Sequence, residues 1–139
     1  MLSRVLVAMD DSELAERALE YALEHHPEAE ITILTVVGEP SILMGDSMGL
    51  AVEDDLESAA EKRAKPVHER AREIATSYDT EIDTDVGLGR PARVIVTRAQ
   101  NYDAVILGSH GGTLVDRLFV GNVAETVFRR SPVPVISVR

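Results

Sequence analysis

A chain of 139 residues has the length of one domain with one core, and at 45% hydrophobic it carries enough apolar material to fold without crosslinks. It contains no cysteine, which excludes a disulfide framework, a thiolate metal site and a cysteine nucleophile. Asp and Glu number 24 against 14 Lys and Arg, a net charge of -10 that argues against nucleic acid or an anionic membrane surface as partner.

Among the 14 cations only Lys62 and Lys65 are lysine. Acid excess with so little Lys is the balance of a halophilic, salt-accumulating cytoplasm, where counterions screen self-repulsion; an ordinary acidic cytosolic protein is the alternative. The N-terminal apolar run Val5-Leu6-Val7-Ala8 is too short for a signal or a membrane span, so a soluble cytoplasmic protein is expected.

Val5–Met9 is a β-branched-rich run and reads as a buried strand. Asp10-Asp11-Ser12-Glu13 supplies helix-capping chemistry, with Asp10 a candidate cap. Leu14, Ala15, Ala18, Leu19, Ala22 and Leu23 then recur at helical spacing, and the helix should stop near His25-His26-Pro27. Ile31–Val37 is the second strand. Gly38–Gly49, with Met44 and Met48, is the one long loop and a candidate lid. A helical pattern covers Leu50–Ser77, and Pro66 inside it should kink or split the helix.

Glu81–Val86 alternates as a third strand, Gly87-Leu88-Gly89-Arg90 is a turn, and Pro91 opens a short helix through Ala99. Ala104–Leu107 is a fully apolar fourth strand. A glycine-rich loop follows, then a helix over Asn122–Arg130 and a fifth strand over Val133–Val138. Short apolar strands alternating with helices predict an α/β fold, a single Rossmann-like domain over residues 1–139 with a parallel, doubly wound sheet. Such folds bind ligands beyond the carboxyl ends of the strands, which points to Ala8–Asp11, Val36–Gly38 and Gly108–Gly112.

The informative segment is Gly108-Ser109-His110-Gly111-Gly112, then Gly121-Asn122-Val123-Ala124-Glu125. Its glycines let the backbone approach a ligand, and N–H groups in the loop and at the following helix start can cradle an anion. Asn122 with Glu125 forms an N-cap-x-x-Glu pattern. A tight strand–loop–helix turn with no ligand would use the same residues.

Gly108-x-x-Gly111, nine residues, then Gly121 resembles the nucleotide-binding pattern of the universal stress protein family. Val5 to Ser12 is similar to that family's first strand and Asp-x-Ser turn, Gly89-Arg90-Pro91 to its Gly-x-Pro segment, and Gly121-Asn122-Val123-Ala124-Glu125 followed by Ser131-Pro132-Val133-Pro134-Val135 to its closing helix and strand. The resemblance covers essentially the whole chain. It implies strand order 3-2-1-4-5 in a five-stranded sheet and a homodimer joined through Val133–Val138. It implies an adenine nucleotide (ATP, or AMP or ADP) as ligand. By position, Asp10 would lie near the adenine or ribose with Ala8 and Met9 beside it, and Val36 against the adenine. Gly108, Gly111 and Gly121 would line ribose and phosphates. Ser109, His110, Asn122 and Val123 stand in the same segments and join the cofactor-binding candidates. The family usually has Ser or Thr where this chain has Asn122, a larger residue that can still donate a hydrogen bond or can crowd the site.

Asp10, with Asp11, is the candidate Mg²⁺ ligand. His25 and His26 are adjacent on a helix and face different ways, His68 is isolated, and Arg90, Arg93 and Arg117 are more simply solvated surface than phosphate ligands. No P-loop, no Gly-x-Ser-x-Gly elbow and no His-Glu-x-x-His occurs, so weak ATP hydrolysis is the most catalysis to expect. The expectation is a homodimeric adenine-nucleotide sensor or regulator that acts in the stress response through other, unknown protein partners. A slow Mg-dependent ATPase or phosphotransferase, and a partner-binding member with its phosphate site closed by Asn122, are the alternatives.

Overall fold

A computed structural model describes residues 2–38, 53–109 and 122–139, with side chains of the long helix described from residue 56. The candidate lid lies outside these residues apart from Gly38, as do His110, Gly111, Gly112, Arg117 and Gly121.

In chain order the elements are β1 (Arg4–Ala8), α1 (Glu13–His25), β2 (Glu30–Val37), α2 (Glu53–Ser77), β3 (Asp83–Leu88), α3 (Pro91–Ala99), β4 (Ala104–Gly108), α4 (Asn122–Arg130) and β5 (Val135–Val138). The five strands form one sheet in the order β3-β2-β1-β4-β5. Every pairing is parallel, with Val7 of β1 opposite Ile33 of β2 and Ile106 of β4. This is the predicted α/β architecture and strand order.

The central strands are apolar on both faces because helices cover both faces. Val5, Val7, Ile31, Ile33 and Ile106 pack with Leu19 and Ala22 of α1 and with Ala71 and Ile74 of α2. On the opposite face Leu6, Leu34, Val105 and Leu107 pack with Ile95 and Ala99 of α3 and Val127 of α4. Val37 and Ala60 form a smaller cluster beneath the first half of α2, flanked by Val86 and Leu88.

The bounds of β1, β3 and β5 differ from the sequence reading for local reasons, and the helix containing Pro66 stays whole. β1 starts at Arg4, whose side chain faces Glu30 at 3.8 Å, and it ends before Met9, whose N–H still reaches the Leu34 carbonyl. β3 runs two residues later than Glu81–Val86, so Gly87 and Leu88 belong to the strand and the turn falls at Gly89, where φ is 125°. The positive φ at Gly89 is open chiefly to glycine. β5 starts at Val135 rather than Val133, because Ser131 Oγ accepts the Val133 N–H and donates to the Val133 carbonyl, folding that stretch into a turn. α2 is one helix through Pro66, so the proline does not split it.

α1 is capped by Ser12, whose Oγ accepts the Ala15 N–H at 3.1 Å; Asp10 is not the cap. Instead Asp10 Oδ1 accepts the Ser12 N–H at 2.9 Å and closes the turn that leads into the helix. At the other end of β1, the Asp103 carboxylate accepts N–H bonds from both Ser3 and Arg4, and these hold it below the usual carboxylate range.

Candidate functional site

The chain winds from β1 outward to β3, then returns and winds from β4 to β5, so the winding direction switches between β1 and β4. A crevice opens beyond the carboxyl ends of strands at such a switch point. The described site candidates gather at this edge: Ala8 ending β1 with Met9 and Asp10 beyond it, Val36 near the end of β2, Gly108 ending β4 with Ser109 beyond it, and Asn122 and Val123 at the start of α4.

Strand register divides them between the two faces. Ala8 lies opposite Leu34, two residues before Val36 and therefore on the same face. Both are partly buried against the cluster beneath α3 and α4. Gly87 lies opposite Val36 and faces the same way, where a Cβ would stand 2.4 Å from Val94 Cγ1. The result is a floor of small side chains at the sheet edge, with two apolar groups left partly open. Met9 turns to the other face and is buried among the residues beneath α1, so only its backbone belongs to the edge.

Asp10 is exposed at the rim of this floor. One carboxylate oxygen holds the turn to Ser12, which fixes the group in place beside the end of β1. On the β4 side the Ser109 N–H donates to the Val138 carbonyl at 2.8 Å and extends the sheet by one bond. Ser109 Oγ is buried with no hydrogen-bond partner among the described residues. A Cβ on Gly38, past the end of β2, would meet nothing within 4 Å.

α4 begins at Asn122 itself, so Asn122 is the first helical residue rather than a residue preceding the helix. Glu125 pairs with Arg129 at 3.0 Å along the helix surface. Asn122 and Val123 are exposed. The first turn of a helix has N–H groups without intrahelical partners and the positive end of the helix dipole, a setting that favours anions. Among the described residues no group of three or more His, Asp or Glu is placed to hold a metal ion. Asp10 and Asp11 are exposed carboxylates of the kind that complete a Mg²⁺ shell around substrate phosphates. No helix among the described residues is long and apolar enough to cross a membrane. Of the weaker candidates, Arg90 precedes α3 without a side-chain cap bond and Arg93 is exposed.

The model of the universal stress protein family matches residues 1–139. A relative in Bacillus subtilis, universal stress protein YxiE, is 27% identical over 148 residues that cover 100% of both chains. The solved structure of protein MJ0577, for which the curated relative is from Methanocaldococcus jannaschii, superposes with a TM-score of 0.79 at 26% identity, over 98% of this chain and 94% of that one. A universal stress protein crystallised in complex with cAMP shares the fold, with a TM-score of 0.73 at 23% identity over 99% and 97% of the two chains. The chain belongs to the universal stress protein family.

Proposed function

We propose that this protein is an adenine-nucleotide-binding module of the stress response, a cytoplasmic homodimer that acts through other proteins. The observation that carries the reading is the convergence, at one switch-point edge, of a small apolar floor from Ala8 and Val36, the fixed carboxylate of Asp10 and the Ser109 hydroxyl, which has no partner among the described residues. A purine needs a flat apolar surface, a ribose needs an acceptor for its hydroxyls, and a phosphate needs N–H and O–H donors. Gly108 opens, in the sequence, the glycine pattern that continues through His110 and Gly111 to Gly121. The cAMP bound by a protein of the same fold guides the choice of probe.

On this reading Asp10, with Ala8 and Met9 beside it, meets the ribose or adenine, and Val36 packs against the base. Gly108, Ser109, His110, Gly111 and Gly121 surround ribose and phosphates, and Asn122 and Val123 place the α4 N-terminus near the charge. ATP arrives with Mg²⁺, whose remaining ligand from the protein is Asp10. Other adenine nucleotides bind less tightly where they lack phosphates for the loop and helix start to hold.

Calorimetric titration of ATP with Mg²⁺ in molar KCl tests this, with AMP and cAMP run beside it and Gly111→Val as control. Micromolar ATP affinity that the valine variant abolishes is the expected result. Absence of heat and of a thermal shift in a demonstrably folded sample overturns it. Gain of ATP affinity on Asn122→Ser would then identify Asn122 as the group that closes the site. Turnover that depends on Mg²⁺ and disappears in Asp10→Ala would make the module a slow ATPase.

A further inference from the structure

A second concave region lies along the outer edge of β3. It is a groove of about 940 Å³ between α2 and β3, within the range of small-ligand sites. The net charge of the chain is -10, yet both of its lysines, Lys62 and Lys65, line this groove. Arg72 joins them from the same helix, and its guanidinium reaches Thr84 Oγ1 across the groove at 3.0 Å.

Lys65, His68 and Arg72 are spaced three and four residues apart, so they form one stripe spanning about 10 Å of helix. Between the two cations His68 is 7% exposed, and its Nε2 is buried with no hydrogen-bond partner among the described residues. A buried ring nitrogen without a partner is costly and calls for a ligand atom or a proton acceptor. Lys62 has no ion-pair or hydrogen-bond partner among the described residues. Lys65 meets Glu69 only at 3.9 Å on the exposed helix surface, a contact of little energetic weight.

We propose that this groove binds the phosphate group of a small ligand, with Lys62, Lys65 and Arg72 supplying charge and His68 the buried hydrogen bond. The remaining charged groups that face it are Glu57 and Glu61 from α2, Asp85 from β3 and Arg98 from α3. Asp85 and Arg98 are paired with each other. Glu57 and Glu61 sit toward the N-terminal end beside Lys62, Glu61 about 10 Å along the helix from His68, whereas Lys65 and Arg72 flank His68 within about one turn. The half of the groove around His68 is therefore the positive half.

Burial holds the His68 imidazole below its ordinary value and Arg72 adds to this, opposed by hydrogen bonding to the Asp85 backbone and by the Asp85 charge. A phosphate beside Nε2 supplies the missing negative charge and favours the imidazolium. Phosphate binding is thereby linked to proton uptake at His68. This site is independent of the nucleotide reading above and uses none of its residues.

The test follows the His68 imidazole by NMR across pH at constant KCl, with its signals identified by their loss in His68→Asn. Inorganic phosphate and glycerol phosphate are the probes. The expected result is an upward move of the His68 midpoint by about one pH unit, equivalent to a tenfold preference of the ligand for the protonated form. The move should vanish in the double variant Lys62→Gln, Lys65→Gln and in Arg72→Gln, all exposed positions, and persist in Gly111→Val. Response to both probes identifies free phosphate as sufficient; response to the ester alone means that its organic part is held as well, and both support the site. A midpoint unmoved by either probe, or a move retained in the cation variants, overturns it.

Discussion

Gly87 shows how a single missing side chain decides local structure. It is buried in β3, and an added Cβ would lie 2.4 Å from Val94 Cγ1. Valine is stiff at χ1 within a helix, so Val94 has no cheap way to withdraw. Gly87→Ala should cost about 1–3 kcal/mol and lower the melting temperature by several degrees, read by thermal denaturation. An unchanged melting temperature would mean that α3 can shift outward. His68 is a second residue whose setting carries a consequence. Its folded pKa is lowered from 6.5, so between the lowered value and 6.5 the unfolded chain binds more protons. Stability should therefore be fully present above pH 6.5 and fall as pH drops toward the folded pKa. Denaturant titrations across that window should show the slope in the parent protein and a shallower one in His68→Gln.

At the scale of elements, α2 carries a tension and β3 a protection. Pro66 sits on the exposed face in the interior of a continuous helix, where it lacks the N–H that would bond the carbonyl four residues back. Pro66→Ala should restore that bond and stabilise the protein by about 1–3 kcal/mol, visible as a higher denaturation midpoint. No gain would indicate that the helix already relaxes around the proline. β3 is an edge strand, but the Val86 N–H is taken by the Asp85 carboxylate and its carbonyl is approached by Arg98 Nη2 at 3.5 Å. Side chains thus cover backbone groups that would otherwise recruit another strand.

The whole molecule has a second edge, and it is barer. In β5 the carbonyls of Pro134 and Val138 accept bonds from the β4 side, so by alternation the Ser137 N–H points outward. A homodimer through Val133–Val138 would use that N–H. Ser137→Pro should then give a folded monomer by light scattering, whereas a dimer that survives the substitution would place the interface elsewhere, the exposed Phe128 of α4 being the next surface to test. The charge of -10 acts on the entire fold. Raising KCl from about 0.1 to 1 M shortens the screening length from about 10 to 3 Å and should raise the melting temperature by several degrees. A flat response would remove self-repulsion, and with it the halophilic reading, from the account.

Periodicity and turn chemistry in the sequence were sufficient for the presence of the five strands, for α1 and α3, and for the doubly wound class, because apolar runs buried on both faces and helix-breaking residues are local signals. The order 3-2-1-4-5 came from the family resemblance of the Asp turn and the spaced glycines, and the sheet has that order. Local signals could not say that Ser12 rather than Asp10 caps α1, since adjacent polar residues offer the same chemistry until the turn is closed. They placed the β3 turn at Gly87 because only the packing of Val94 explains a glycine inside a strand. His68 looked isolated in sequence, although its three- and four-residue spacing from Lys65 and Arg72 was already there to read. That Ala8 and Val36 share a face while Met9 leaves it, and that both lysines line the β3 groove, was decided by tertiary structure. Register and helix docking choose which face each side chain meets, and neither is written within one segment of chain.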